Sequence, residues 1–553
     1  MATVGREAQS GGTGILACAI GSTDRNVCAI RSIGCVVSRT WLSVAILSLL
    51  CFLLFFYGIS SGDLYRTEGL RAIIAQEFLR SGNWIVPKLY GEPFFTKPPC
   101  MYAAIALVSS PQGHVTEWSA RLPSAVAATV TVFLFYWYFS RSLGRLGGFL
   151  AAVILPLSFA WLDKASAAEL DMMQVAWVSA AILFFLRGLE IAERRAGLRK
   201  RPEPQTALWL WWPAALLCVA GGVLTKWTAP VFFYGTVIPL LWRRGRLRLL
   251  FGPHHLVSVF IGAAVCLAWI AAAIFPEGWQ PFYETVRREA LVHLSPQHHL
   301  GGYSWRESLL HPLKVWSVNL PWSLMALLAL RPAFASGWDT RGHRLLQALH
   351  CWIWPNLLFW SLVPQHSVRH AFPLFPAISG LAAMVWIAAL KANTPSTVEI
   401  KSAVRKLLAD RILPASGIIL VSLGVVGVGI RLVYVHAIVP SRDSLRATRA
   451  KGERIAALVP PEQTLYLLNL KDDGLMFYYQ RNVRRLASRN DASIEPDTYS
   501  LLTKNEYESL PSPGIVEVIE WLSDQQGTPI VLVQSRSTDP VALHNRESNG
   551  SFP

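Results

Sequence analysis

Charge is scarce in this chain: 16% of its 553 residues are Asp, Glu, Lys or Arg, whereas 52% are hydrophobic. Water-exposed globular domains carry about a quarter charged residues, so most of the chain is excluded from that class and reads as a polytopic membrane protein. Acids are scarcer than bases, 35 against 51, which leaves a formal charge of +16. Nucleic-acid binding would need those bases gathered on one polar face. Here they lie between apolar runs, the pattern of cytoplasmic loops under the positive-inside rule. The eight cysteines show no CxxC spacing and none lies in the polar C-terminal region. A disulfide framework and a zinc site are both left without support, and the thiols read as packing groups. The ILAC run ending at Cys18 lacks the apolar stretch a lipoprotein leader requires.

What is present is apolar length, with 22 Trp suited to membrane interfaces. Residues 1–40 are rich in Gly, Ser and Thr and predict a disordered cytoplasmic tail. With Arg39 inside, a first span at 41–59 delivers residues 59–118 to the outer side. The apolar run 101–110 is too short to cross the bilayer and reads as an interfacial or re-entrant helix. Further spans are expected at 122–139, 146–162 and 172–186. A helical hairpin over 208–242, broken near Gly221, Gly222, Lys226 and Pro230, follows, then spans at 256–275, 315–330, 349–363, 371–390 and 412–439. The total is about eleven crossings. It sets the basic tracts on one side of the membrane and the polar-acidic stretches on the other.

The expected organisation is therefore an all-α polytopic membrane domain over 41–439, with outer loops at 59–118 and 276–312, and a small extracytoplasmic α/β domain over 440–553. In that domain QTLYLLNL, the YYQ to RRLAS segment and TPIVLVQS alternate as strands, around helix-like segments such as GIVEVIEWL. It holds no nucleophile elbow, phosphate loop or metal cluster, and reads as a cap or acceptor-recognition module.

The polar anomaly of the membrane domain is residues 64–102. Glu68 and Arg71, three residues apart, share a helix face. A carboxylate near a bilayer is costly unless it is paired or functional. Lys97 precedes two prolines, which keep its backbone extended, and an ammonium at headgroup level suits a lipid phosphate. Asp171 heads the fourth span, two residues after Glu169. With Glu68 it supplies carboxylates from separate helices, which can divide proton transfer and charge support; N-capping is the structural alternative for Asp171. On later outer loops Arg287, Arg288, His293, His298, His299 and Tyr303 form a basic aromatic cluster, and Arg369 with His370 precedes Pro373. No acid sits at ligand spacing to the paired histidines, so anion and sugar recognition is the reading there.

The run TEGLRAIIAQEFLRSGNWIVPKLYGEPFFTKPP, then SARLPSA, ELDM, GGVLTKWTAP, NLPW and RHAFPLFPAI, resembles the bacterial polyprenyl-phosphate-sugar-dependent glycosyltransferases, relatives of the lipid A aminoarabinose transferases and protein O-mannosyltransferases. The likeness covers about residues 41–390. It implies a GT-C fold with interfacial helices, an outer first loop carrying the catalytic acid, and a small soluble C-terminal domain. By motif, Glu68 matches the second acid of the family's Asp-Glu pair, Lys97 the lysine before proline, Asp171 the acid heading the fourth span, and Arg369 a basic position. Thr67 and Thr96 stand where the family carries acids, which argues against aminoarabinose transfer proper.

The expected function is transfer of a hexose or pentose, with inversion, from a polyprenyl monophosphate to a hydroxyl of lipid A, a glycan or a protein, on the outer face of a bacterial inner membrane. Glu68 or Asp171 would act as base. Arg71, Lys97, Glu169, Arg287, Arg288, His299, Tyr303, Arg369 and His370 would bind substrate. No cofactor is required, although the acids could hold a divalent cation. A transporter or flippase is the alternative; it predicts inverted repeats, and no internal symmetry is evident.

Overall fold

A computed structural model describes residues 40–198, 206–294, 303–364, 366–392, 416–486, 497–510 and 516–535. The expected tail thus lies outside the described residues, Thr40 apart. The α-helices of seven residues or more are α1 (Thr40–Cys51, continued by a π turn at Phe52–Phe56), α2 (Thr67–Ser81), α3 (Cys100–Ser109), α4 (Glu117–Ile154), α5 (Phe159–Ala165) and α6 (Leu170–Leu198). There follow α7 (Thr206–Val223), α8 (Ala229–Arg243), α9 (Pro253–Glu277), α10 (Trp279–Leu294), α11 (Trp305–Ser317), α12 (Trp322–Leu328), α13 (Thr340–Leu362), α14 (Phe375–Ala392), α15 (Ser416–Val433), α16 (Val439–Arg446), α17 (Thr448–Leu458) and α18 (Asp473–Tyr479).

Among the described residues five helices are long and apolar enough to cross a membrane, and Thr40–Phe56 and Ala207–Val223 are shorter apolar ones. That is fewer continuous helices than the crossings expected, because several apolar stretches are broken. The 41-residue stretch Glu117–Leu157 would rise about 60 Å as one helix, twice the hydrocarbon thickness. Gly144, at φ 80° and ψ 170°, divides it, between the stretches expected at 122–139 and 146–162. The stretch expected as a span at 315–330 is not one helix: α11 ends at Ser317 and α12 starts at Trp322. Pro321 lies between them, with no N–H to continue the ladder and a ring that bars helical backbone before it. The run at 101–110 forms α3, 10 residues, too short to cross.

Helix α6 orients the bundle. Lys226, just past α7, meets Asp171 at the start of α6 at 3.0 Å, while Arg244, just past α8, meets Glu193 near its other end at 3.2 Å. Helices α7 and α8 therefore run in opposite directions, the hairpin expected at 208–242. A Cβ on Gly221 would stand 2.8 Å from the Trp177 ring, so the glycine lets α7 lie close on α6. Between Asp171 and the Glu190–Glu193 turn α6 rises about 30 Å, one hydrocarbon thickness. At the far end Tyr138 bonds Glu190, and Arg244 and Arg344 both pair with Glu193. Two polar layers thus bound an apolar slab. Most of the apolar stretch of Val368–Leu390 is buried, whereas little of that of Pro253–Glu277 is, which turns Phe260, Leu267 and Phe275 outward, as a lipid-facing helix does.

The C-terminal region is a five-stranded mixed sheet against α17 and α18. Strands β3 (Leu465–Leu467), β4 (Val483–Arg485), β5 (Tyr499–Thr503), β6 (Val516–Ser523) and β7 (Pro529–Ser535) stand in the order β4-β3-β5-β7-β6; β1 and β2 are a two-residue-stranded hairpin earlier in the chain, Lys88–Leu89 and Glu92–Pro93. β3 is parallel to β4 and β5, and β7 is antiparallel to β5 and β6. Two expectations are corrected. From Val516 on, the GIVEVIEWL segment is an edge strand, not a helix: its β-branched and aromatic side chains suit a pleated surface, and β7 supplies a partner. The YYQ segment closes α18, where Gln480 adopts the left-handed conformation at φ 56° and ends the helix.

Candidate active site

The first turn of α2 is built on a buried arginine from another helix. Arg121 donates Nε to Glu68 Oε1 at 2.9 Å and Nη2 to Glu68 Oε2 at 3.2 Å. Its remaining N–H groups bond the carbonyls of Ile59, Ser61, Gly62 and Asp63. Glu68 also accepts from the backbone N–H groups of Ala168 at 2.8 Å and Tyr65 at 3.0 Å. Both carboxylate oxygens are thereby occupied. Burial alone would raise the Glu68 pKa, but the Arg121 guanidinium and the two N–H groups hold it below the ordinary carboxylate value. The Glu68–Arg71 pairing suggested by spacing is not formed. Arg71 turns instead to Glu169, at 3.0 Å, and to the carbonyls of Thr67 and Ala168.

Glu169 and Asp171 project from the loop and first turn that open α6. The Ser124 hydroxyl bonds the Glu169 carbonyl at 3.0 Å and fixes that loop to α4. Arg369 Nη2 reaches Glu169 Oε2 at 2.6 Å and Asp171 Oδ2 at 3.1 Å, and Lys226 Nζ holds Asp171 Oδ1 at 3.0 Å. Asp171 is 2% exposed, whereas Arg369 is 44% exposed. The network is buried on its acidic side and at Arg71 and Lys226, and opens to solvent at Arg369. Glu169 Oε1 accepts from the Thr67 hydroxyl at 3.2 Å.

Lys97 pairs with Glu289 of α10 at 2.7 Å. Burial lowers its pKa, Glu289 opposes this, and nearby Lys226 and Arg71 add to the lowering. Arg287 and Arg288 are exposed on the same helix. His370 lies beside the Trp360 ring, centroids 5.2 Å apart. Tyr303 is drawn elsewhere, to the Leu362 carbonyl and Ser308. The side chain of His293, and His298 and His299 entirely, lie outside the described residues. Among the described residues no group of three or more His, Cys, Asp or Glu is placed to hold a metal ion.

Two cavities meet at Arg66 and Thr67. One, of about 430 Å³, is lined by Arg66, Arg121, Lys164, Arg369, Arg431 and Arg442 against Glu68, Asp163 and Glu169 as its charged groups. The other, of about 550 Å³, reaches Arg288, Glu289 and the Lys471–Asp473 turn of the C-terminal domain. Arg121, Lys226, Glu289, Arg431 and Arg442 received no role from sequence. A signal existed for the first two, since a charged group at the end of an apolar helix must find a partner.

Residues 96–271 match the dolichyl-phosphate-mannose-protein mannosyltransferase family. The undecaprenyl phosphate-alpha-4-amino-4-deoxy-L-arabinose arabinosyl transferase of Pseudomonas aeruginosa (strain LESB58) is 31% identical over 320 residues, 55% of this chain and 52% of that protein. The same-named protein of Pseudomonas savastanoi pv. phaseolicola is 30% identical over 229 residues, 40% of each. The matched segment thus spans about half the length of such relatives or less. Among solved structures, ArnT from Cupriavidus metallidurans bound to undecaprenyl phosphate superposes with a TM-score of 0.66 at 17% identity, covering 89% of this chain and 97% of that one. That likeness carries the fold, a mostly helical multi-pass membrane protein with a small C-terminal mixed sheet. By matched segment and relatives the chain is similar to the dolichyl-phosphate-mannose-protein mannosyltransferase family over residues 96–271 and to the aminoarabinose transferases over about half its length, and it shares its fold with ArnT.

Proposed function

We propose that the protein transfers a sugar from a polyprenyl monophosphate to an acceptor hydroxyl at the outer face of a bacterial inner membrane, with its C-terminal domain on that side. The observation that carries this reading is the cationic cavity beside a second cavity, the two sharing Thr67 at the polar end of the bundle. Six cationic side chains against three acids suit an anionic group, and two adjoining cavities suit two substrates.

The chemistry asks little of an acid catalyst. A phosphate monoester has a second pKa near 6, so the departing phosphate leaves without a proton at neutral pH. Lys97 and Arg369, with Arg287 or Arg288, would receive its charge; such fixed cations act most strongly where water is excluded. Asp171 keeps Lys226 and Arg369 oriented before the phosphate arrives. The protein must also supply a base for the acceptor hydroxyl. A single displacement inverts the anomeric carbon, and no step calls for a metal ion, although the acids could hold one.

The relatives' names make undecaprenyl-phosphate-linked 4-amino-4-deoxy-L-arabinose the first donor to offer, with lipid A, a glycan and a protein hydroxyl as acceptors. Reconstituted protein given radiolabelled carrier-linked sugars should move label onto one of them, with inverted anomeric configuration by NMR. Movement of the intact carrier across the bilayer without transfer would replace this reading with a flippase.

A further inference from the structure

Three buried carboxylates, Glu68, Glu169 and Asp171, stand at this end of the bundle, the first two lining the cationic cavity, and the occupancy of their oxygens separates them. Glu68 has each oxygen on Arg121 and on a backbone N–H. Asp171 has one oxygen on Lys226 and the other on Arg369. Glu169 differs: Oε2 carries both its arginines, Arg71 and Arg369, whereas among the described residues Oε1 accepts from one partner, the Thr67 hydroxyl at 3.2 Å. A carboxylate oxygen has room for about two hydrogen bonds. Glu169 and Thr67 both line the cationic cavity.

We infer that Glu169 is the base of the transfer reaction, with Oε1 as the oxygen that takes the proton. The inference rests on the transferase reading above. The existing Thr67 hydroxyl contact has the geometry an acceptor hydroxyl needs, a donor O–H directed at a carboxylate oxygen free of cations. In the step, the acceptor oxygen bonds to the anomeric carbon while the bond from that carbon to the phosphate oxygen breaks, its electron pair leaving with the phosphate. The acceptor proton passes to Glu169 Oε1. Arg71 and Arg369 on Oε2 hold the carboxylate plane still, Glu68 positions the first turn of α2, and Asp171 positions the cations.

The test uses full-length protein in proteoliposomes with the carrier-linked sugar and acceptor that the wild type uses. Glu169→Gln should lower kcat about 10²- to 10⁴-fold, the usual worth of a positioned base, with KM for the donor changed less than threefold. The double variant Thr67→Asp, Glu169→Gln puts a carboxylate on the other side of the same hydrogen bond and should recover at least tenfold over Glu169→Gln. A merely structural role for Glu169 would not give that recovery. If Glu169→Gln fails to fold, Glu169→Asp, which keeps the charge and withdraws it by one methylene, should lower kcat with donor KM held. Transfer by folded Glu169→Gln or Glu169→Asp within fivefold of wild type overturns the inference, as does an inactive double variant that still binds undecaprenyl phosphate. Absence of transfer by the wild type with every donor refutes the transferase reading itself, a different result from a wild type that transfers and a variant that does so equally well.

Discussion

Removing the Glu68 carboxylate leaves Arg121 a buried cation without its anion, so Glu68→Gln should destabilise the protein by about 3–5 kcal/mol, read as a lower unfolding temperature in detergent. The pH dependence has a definite sign. The folded pKa of Glu68 lies below its unfolded value, so its contribution is complete above the ordinary carboxylate range and is lost as pH falls through the lowered value. The acid limb of stability against pH should therefore be shallower in the variant. Asp472 behaves oppositely: burial pushes it up to about 6, although the N–H groups of Leu475 and Gln525 oppose this. Its contribution is complete below about 4 and is lost as pH rises through about 6. Proteolytic resistance of the C-terminal domain should increase between pH 7 and pH 5. Sequence flagged Glu68, Arg71, Lys97, Glu169, Asp171 and Arg369 because polar groups among apolar runs are conspicuous. Their partners were not legible, since Arg121 is 53 residues from Glu68 and Lys226 is 55 from Asp171, and only the packing of helices brings such pairs together.

At the level of elements, α2 is held between the bundle and the C-terminal domain. A Cβ on Gly69 would come within 2.4 Å of the Asp473 carbonyl oxygen, a backbone atom that cannot swing aside. Gly69→Ala should cost about 1–3 kcal/mol, the range for overpacking, and lower sugar transfer with it. Just before α2, Arg66 sits at φ 53° and ψ −123°, strained for a residue with a Cβ. The Gln525 side chain holds it, donating to the Leu64 carbonyl and accepting from Arg66 N–H, both at 2.9 Å. Gln525→Leu strands both backbone groups, and about 1–3 kcal/mol for each is the expected loss; hydrogen exchange at 64–66 should speed up and kcat should fall. The apolar runs and the break in the α7–α8 hairpin were legible from composition, glycines and proline. The edge strand at 516–523 was not, because β6 owes its form to β7 rather than to its own period.

For the whole molecule, the C-terminal domain is part of the scaffold of the site. Tyr478 accepts from Leu64 N–H at 2.9 Å and donates to Glu117 at 2.8 Å, and Arg449 joins Asp63 to Glu117. Ending the chain before Thr448 should leave a membrane-inserted protein that is cut by protease near residues 59–66 and transfers no sugar. The cap reading left these bonds unseen, because they run from Tyr478 and Gln525 to backbone atoms over 300 residues away. The distance along α6 between its two charged ends has a mechanical consequence. It makes the helix a gauge of membrane thickness: acyl chains too long would draw Asp171 and Lys226 below the headgroups, and chains too short would lift the cationic cavity away from a carrier phosphate anchored by its tail. Mismatch costs fractions of a kcal/mol per Å, so turnover in liposomes of graded acyl length should peak near a hydrocarbon thickness of about 30 Å and fall on both sides.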